Sequence, residues 1–285
     1  MRELLKTGFV LDGAMGTQLI ERGLTQGQSS ALWSVDRPDD ILAVHRAYAD
    51  AGAQAITANT FSANRFMLAA YSMEGRLAEI NRAAVDLARR TGLPVLGDIG
   101  PSGEFLEPMG DLEPEDLLAA VQEQATALAD AGVDGFLVET YSDPGEMFLT
   151  LEALKEFGLP IIATFTYERH SWFATMMGTS PAKAVAACAE ADAVGANCGS
   201  SLSLEDYLVL ADELLAATDK PILLQPNAGT PKETGAGVSY DVTPEAFAEF
   251  GVLARAKGVG ILGGCCGTSP AHIAALSAGL ASQRP

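Results

Sequence analysis

The chain has 285 residues, 48% of them hydrophobic, and its 37 acidic against 18 basic side chains give a formal net charge of -19. A field of that sign repels phosphate backbones and anionic lipid, which argues against nucleic acid and membrane surfaces as partners. No apolar run reaches membrane-spanning length, and the opening MRELLKTGFVLDG lacks the apolar centre of a secretory signal, so a soluble, cytoplasmic protein is expected.

Along the chain, short apolar runs alternate with amphipathic segments of helical length. GFVLDG (8–13) precedes DDILAVHRAYADAG (39–52), AQAITANTF (53–61) precedes GRLAEINRAAVDLARR (75–90), and PVLGDIGP (94–101) precedes PEDLLAAVQEQATALADAG (114–132). GFLVET (135–140) is followed by PGEMFLTLEALKEFG (144–158), PIIATFTY (160–167) by PAKAVAACAEAD (181–192), and AVGANC (193–198) by SLEDYLVLADELLAATD (203–219). PILLQPNAG (221–229) with PEAFAEFGVLARAKG (244–258), and VGILGGCCG (259–267) with PAHIAALSAGLAS (270–282), complete the series. Several helical segments open at Pro or Asp and close at Gly, as start and stop signals do.

Near-continuous apolar strands, each followed by a helix, call for a parallel sheet covered by helices, and eight such units in this length predict a (β/α)8 TIM barrel occupying residues 1–285 as one domain. An open doubly wound sheet is the alternative, but DGAMGT after the first strand is a poor match to the dinucleotide fingerprint.

Chemistry in such barrels gathers at the C-terminal ends of the strands. The polar residues predicted there are Asp12, Asn59 with Thr60, Asp98, Glu139 with Thr140, Asn197 with Cys198, Gln225 with Asn227, and the adjacent Cys265 and Cys266. Cysteine is scarce, four residues in all, which is too few for a disulfide scaffold and fits reduced thiols. Cys188 lies in a helical run and reads as a small buried hydrophobe. Cys198, Cys265 and Cys266 end strands six and eight, so barrel closure brings three sulfurs to one point, with Gly263, Gly264 and Gly267 letting the chain bend around the pair.

Three thiolates suit Zn(II), and His45, His170 and His272 all lie in helices or a long loop, with no evident fourth protein ligand. An open position on such an electron-rich ion is suited to holding an incoming thiol as thiolate, and so to activating a thiol rather than to hydrolysis.

The ordered set DGAMGT (12–17), TANTF (57–61), GDIGPSGE (97–104), VET (138–140), GANC (195–198), PNAG (226–229) and GGCCGT (263–268) resembles the zinc-dependent homocysteine S-methyltransferases. That group includes betaine-homocysteine methyltransferase and the homocysteine-binding module of cobalamin-dependent methionine synthase. The resemblance implies Cys198, Cys265 and Cys266 as zinc ligands with homocysteine sulfur as the fourth. It implies that Asp12 and Glu139 hold the amino acid end of homocysteine, that Gly13 and Thr17 contact it, and that Asn197 and Asn59 either touch it or order the zinc loop.

GDIGPSGE and the CCGT ending look most like the methionine synthase module. The sequence stops after its eighth helical segment without the folate and cobalamin modules, so methylcobalamin on a separate corrinoid protein is the expected donor, with a small donor such as S-methylmethionine or betaine, or an origin as part of a longer protein, as alternatives. Another small thiol or selenol as acceptor, and a non-catalytic zinc- or thiol-binding redox sensor, are the competing functions. The loop ERHSWFATMMGTS (168–180), after strand five, reads as a lid or as a surface for such a partner.

Overall fold

The computed structural model describes residues 1–199, 201–234 and 237–283. All eight expected strands are present and in order: β1 Phe9–Val10, β2 Ile56–Thr57, β3 Val95–Ile99, β4 Gly135–Tyr141, β5 Ile161–Phe165, β6 Ala193–Cys198, β7 Ile222–Pro226 and β8 Ile261–Leu262. They form one parallel sheet in the spatial order β1-β8-β7-β6-β5-β4-β3-β2, with pairings such as Phe9 to Ile261 and Leu96 to Gly135.

The two edge strands meet through a mixed seam. Gln54 N donates to the Val10 carbonyl at 2.7 Å and the Val10 N–H donates to Gln54 Oε1 at 3.0 Å. One turn higher, Thr57 donates from both its backbone N–H and its hydroxyl to the two carboxylate oxygens of Asp12, each at 2.8 Å. A residue of the expected site thus also joins the first strand to the second, which closes the (β/α)8 barrel.

The covering helices are α1 Pro38–Asp50, α2 Leu77–Arg89, α3 Pro114–Ala131, α4 Pro144–Leu154, α5 Pro181–Ala187, α6 Leu204–Ala217, α7 Pro244–Lys257 and α8 Pro270–Ala281. Proline opens α1, α3, α4, α5, α7 and α8, where its missing N–H would have had no helical partner. Ser203 and Asp206 cap α6 reciprocally, and left-handed Gly132 and Gly258 stop α3 and α7. On α2 the buried positions Leu77, Ile80, Ala84, Val85, Leu87 and Ala88 recur at helical spacing, so one stripe faces the sheet.

Inside the barrel, Phe9, Leu11, Leu96, Leu137, Ile162, Leu223 and Ile261 pack as a separate apolar cluster, closed at the N-terminal end by Leu5 of a short helix, Arg2–Thr7. Each such fully buried side chain contributes roughly 1.5–3 kcal/mol. The interior is therefore filled beneath the site, and the cavity can form only above it, among the strand exits. Shorter elements decorate that upper face: helices Met15–Glu21, Trp33–Asp36 and Arg65–Ala69, a hairpin of Glu168–Arg169 with Phe173–Ala174, and a second of Lys232–Thr234 with Gly237–Ser239. No described helix is long and apolar enough to cross a membrane.

Candidate active site

A cavity of about 350 Å³ opens at the C-terminal ends of the strands. Cys198, Cys265 and Cys266 line one side of it, and Asp12, Asp98 and Glu139 also reach it, together with the Gly13–Thr17 turn, Asn59, Thr140 and Gln225. Among its described lining residues there is no Lys, Arg or His.

The sulfurs of Cys198, Cys265 and Cys266 all lie within 4.8 Å of one another, and those of the adjacent pair are 4.0 Å apart. Zn–S bonds of ~2.3 Å in a tetrahedron would set sulfurs about 3.8 Å apart, so the trio fits a zinc ion with little movement and leaves one corner free. Among the described residues this is the one cluster of three potential ligands found at such spacing.

The chain is held at both places that supply sulfur. Cys198 ends β6 with a left-handed φ of 58°, a conformation costly for a residue with a Cβ, and the Tyr207 hydroxyl from α6 pins its carbonyl at 2.6 Å. After β8, Cys265 N–H donates to the Pro226 carbonyl at 2.9 Å, and the Cys266 carbonyl accepts from Ala228 N–H at 2.9 Å, so β7 fixes the turn. Gly267 follows with φ +80°, and a Cβ there would fall 2.2 Å from the Tyr240 ring, so only glycine both turns the chain and admits the tyrosine.

The three thiols titrate as one cluster. Hydrogen bonds from the Cys265 and Cys266 thiols, helped by Asn227, push the Cys198 thiol down to about 3, and the thiolate so formed holds the Cys266 thiol up at about 12 and Cys265 well above its ordinary value. One thiolate forms easily and the second and third resist. A divalent cation is what relieves that resistance.

The acidic groups of the cavity are raised without exception. Burial raises the Asp12 carboxyl to about 7, against the two Thr57 hydrogen bonds that lower it. Burial, then the charges of Asp12 and Cys198, raises Glu139 to about 8, and burial with the charges of Glu139 and Asp12 raises Asp98 well above the carboxylate range. Buried acids repelling one another without a cation are an unfinished arrangement, and a ligand ammonium would complete it.

Gly13 and Thr17 line the cavity, and the Thr17 hydroxyl accepts from Gly267 N–H at 3.0 Å, tying the first strand's turn to the cysteine turn. Thr268 and Tyr48 reinforce that tie. The Ala14 N–H donates to Thr268 Oγ1 at 3.0 Å, and the Tyr48 hydroxyl lies 2.8 Å from the Ala14 carbonyl and 3.2 Å from that of Thr268.

Asn197 is fully buried and absent from the cavity lining. Its Oδ1 accepts from Thr140 N–H at 2.9 Å and from the Thr164 hydroxyl at 2.8 Å, while its Nδ2 donates to Thr140 Oγ1 at 2.7 Å and lies 4.0 Å from Cys265 Sγ. Thr140 has a φ of 66°, so Asn197 secures a strained residue next to Glu139 and acts behind the site. Asn59 does line it, with its amide oriented by the Ser30 carbonyl at 2.7 Å and Ser34 Oγ at 3.1 Å.

Cys188 is buried, with burial pushing its thiol up to about 12, as befits an inert core residue. The histidines stand apart: His45 is fully buried in α1, His272 bonds Ser269 and the Val242 carbonyl, and His170 is exposed on the 168–174 hairpin. That hairpin buries Phe173 and Ala174 while Trp172 and Met176 stay 51% and 68% exposed. Thr57 and Thr268 lie in the TANTF and GGCCGT motifs without an assigned role there, and Tyr48 and Tyr207 lie outside the motifs; all four act through contacts between separate elements. Asp98 was recognisable as a strand-end acid, but its place beside Asp12 and Glu139 in one cavity needed the structure.

Comparison with known proteins agrees with this geometry. The family model of homocysteine S-methyltransferases matches residues 9–280. Methionine synthases of Mycobacterium tuberculosis and Mycobacterium leprae are 32% and 30% identical over 97% and 99% of this chain, which spans about a quarter (25%) of the length of each. Among solved structures, the homocysteine methyltransferase MmuM from Escherichia coli in its oxidized form superposes with a TM-score of 0.80 at 29% identity, covering 97% of this chain and 98% of that one. Its metallated form gives a TM-score of 0.79 with the same identity, 29%, and the same coverage, 97% and 98%.

Proposed function

The chain belongs to the homocysteine S-methyltransferase family, and on that premise we propose that it moves a methyl group onto the sulfur of homocysteine, giving methionine, with Cys198, Cys265 and Cys266 holding a zinc ion. The observation that carries this reading is the meeting, in one cavity, of three sulfurs spaced for one tetrahedral ion and of buried acids lacking a cation. A zinc ion bound there would hold a thiol as thiolate at neutral pH and leave it nucleophilic.

The rest of the chemistry belongs to the chain. Asp12 and Glu139 accept hydrogen bonds from the substrate ammonium, which an acidic cavity without basic lining residues favours over an anion. The Gly13–Thr17 turn, locked to the cysteine turn, sets the distance between the amino acid end and the sulfur end. With both ends fixed, the sulfur is aimed outward at the cavity mouth. Its lone pair forms the new S–CH3 bond as the bond from methyl to donor breaks, and that electron pair stays with the donor.

The donor in this reading is methylcobalamin carried by a separate corrinoid protein. Exposed apolar residues beyond the strand ends support a docking partner there: Ile20, Phe105, Met109, Trp172 and Met176. Anaerobic assays of zinc-loaded protein and homocysteine with methylcobalamin, S-methylmethionine, betaine and methylfolate in parallel test both points. Methionine formation with methylcobalamin is expected. Formation only with S-methylmethionine or betaine would overturn the donor, and none with any donor, alongside reversible oxidation of Cys265 and Cys266, would replace the methyltransferase with a redox sensor.

A further inference from the structure

Asp98 closes β3 at 5% exposure and reaches the same cavity as Asp12 and Glu139. Its backbone is clamped from two elements: its carbonyl accepts from the Thr60 hydroxyl at 2.8 Å and from Gln124 Nε2 at 3.4 Å, and its N–H donates to Thr60 Oγ1 at 3.0 Å. The clamped residue nevertheless carries an unmatched side chain, since Asp98 Oδ1 is buried without a hydrogen-bond partner among the described residues. Asp12, by contrast, has a Thr57 donor on each oxygen.

A buried carboxyl with an orphaned oxygen is costly, and a fold that fixes one rigidly beside two further acids needs a donor to arrive from outside. The described cavity lining supplies no cationic side chain. A primary ammonium has three N–H donors to distribute, and two acids leave one of them without a carboxyl acceptor.

We propose that Asp98 is a specificity-determining residue, the third carboxyl of a socket that recognises the primary α-ammonium of the substrate. The inference rests on homocysteine being the thiol substrate. It assigns Asp98 the selection of amino acid thiols over thiols of the same length lacking nitrogen, with the orphaned oxygen satisfied through the small side-chain rotation that substrate entry allows.

The test is a pair of ligands on three proteins. Zinc-loaded wild type, Asp98→Asn and Asp98→Ser are titrated calorimetrically with homocysteine and with 4-mercaptobutanoate, which is homocysteine without its amino group, after zinc content and melting temperature show that each variant is folded and loaded. Both variants are expected to bind homocysteine about ten- to a hundred-fold more weakly, as for a lost charge-assisted hydrogen bond, and to bind 4-mercaptobutanoate as wild type does. KM for homocysteine should rise with kcat nearly unchanged. Equal weakening for both ligands would make Asp98 a structural support and overturn the proposal, as would unchanged homocysteine binding. Failure of wild type to bind homocysteine at all would instead remove the substrate assignment, and the proposal with it.

Discussion

Replacing Asn197 with alanine separates the support of the site from its chemistry. The side chain satisfies the Thr140 N–H, the Thr140 hydroxyl and the Thr164 hydroxyl, and Thr164 is fully buried. Each group left without a partner costs about 1–3 kcal/mol, with the half-buried Thr140 groups at the lower end because water can reach them. Asn197→Ala should therefore lower unfolding stability by about 3–5 kcal/mol, measured as a shift in urea midpoint at constant m-value.

The functional effect follows from Thr140, whose left-handed backbone costs about 1–2 kcal/mol and is held by those same bonds. Released, it relaxes toward an ordinary conformation and carries Glu139 with it. KM for homocysteine should rise about ten-fold or more while zinc stoichiometry stays at one, because β7 and α6 contacts fix the cysteine backbones and Asn197 adds only a 4.0 Å approach to Cys265 Sγ. A stability loss below about 1 kcal/mol, or an unchanged KM, would refute the view that Asn197 positions Glu139.

Three further outcomes are expected. Cys198→Ala, Cys265→Ala and Cys266→Ala should each abolish stoichiometric zinc retention after dialysis, read by atomic emission, whereas Cys188→Ala should retain zinc; retention by any of the first three would place the ion elsewhere. Asp12 and Glu139, raised to about 7 and about 8, are protonated below those values and cannot then counter an ammonium; the bound ammonium lowers both, so binding releases protons and tightens as pH rises. The ratio of homocysteine to 4-mercaptobutanoate affinity, in which the thiol contribution cancels, should accordingly increase between about pH 6 and 9; a flat ratio would contradict it. Gly13→Ala places a Cβ 2.8 Å from Thr268 Oγ1 and 2.9 Å from the Tyr48 ring, so it should displace the substrate turn, costing about 1–3 kcal/mol in denaturation and raising KM.

The barrel was readable because each strand is an apolar run bounded by Pro or Gly and each helix carries a stripe at helical spacing, signals local enough to survive in one sequence. Cys198, Cys265 and Cys266 were readable for a related reason: a strand-end position in a closed barrel fixes which face a residue occupies, so topology converts separated cysteines into neighbours. What stayed hidden depends on contacts between segments far apart in the chain. Nothing in TANTF says that Thr57 stitches Asp12 across the barrel seam, and nothing in GANC says that Asn197 points behind the cavity rather than into it. The short helix Arg2–Thr7, which seals the barrel floor with Leu5, is too brief to announce itself by periodicity. Asp98 shows the same limit, since an acid at a strand exit becomes a recognition group only when its neighbours and its missing partner are seen.

The proposed chemistry requires three cysteine sulfurs to hold one metal and leave room for a fourth. X-ray absorption at the zinc edge counts those sulfurs directly, with and without homocysteine. Three sulfur neighbours rising to four on addition of homocysteine is the predicted result. Four sulfurs before it is added, or three that remain three at saturating homocysteine, would contradict it.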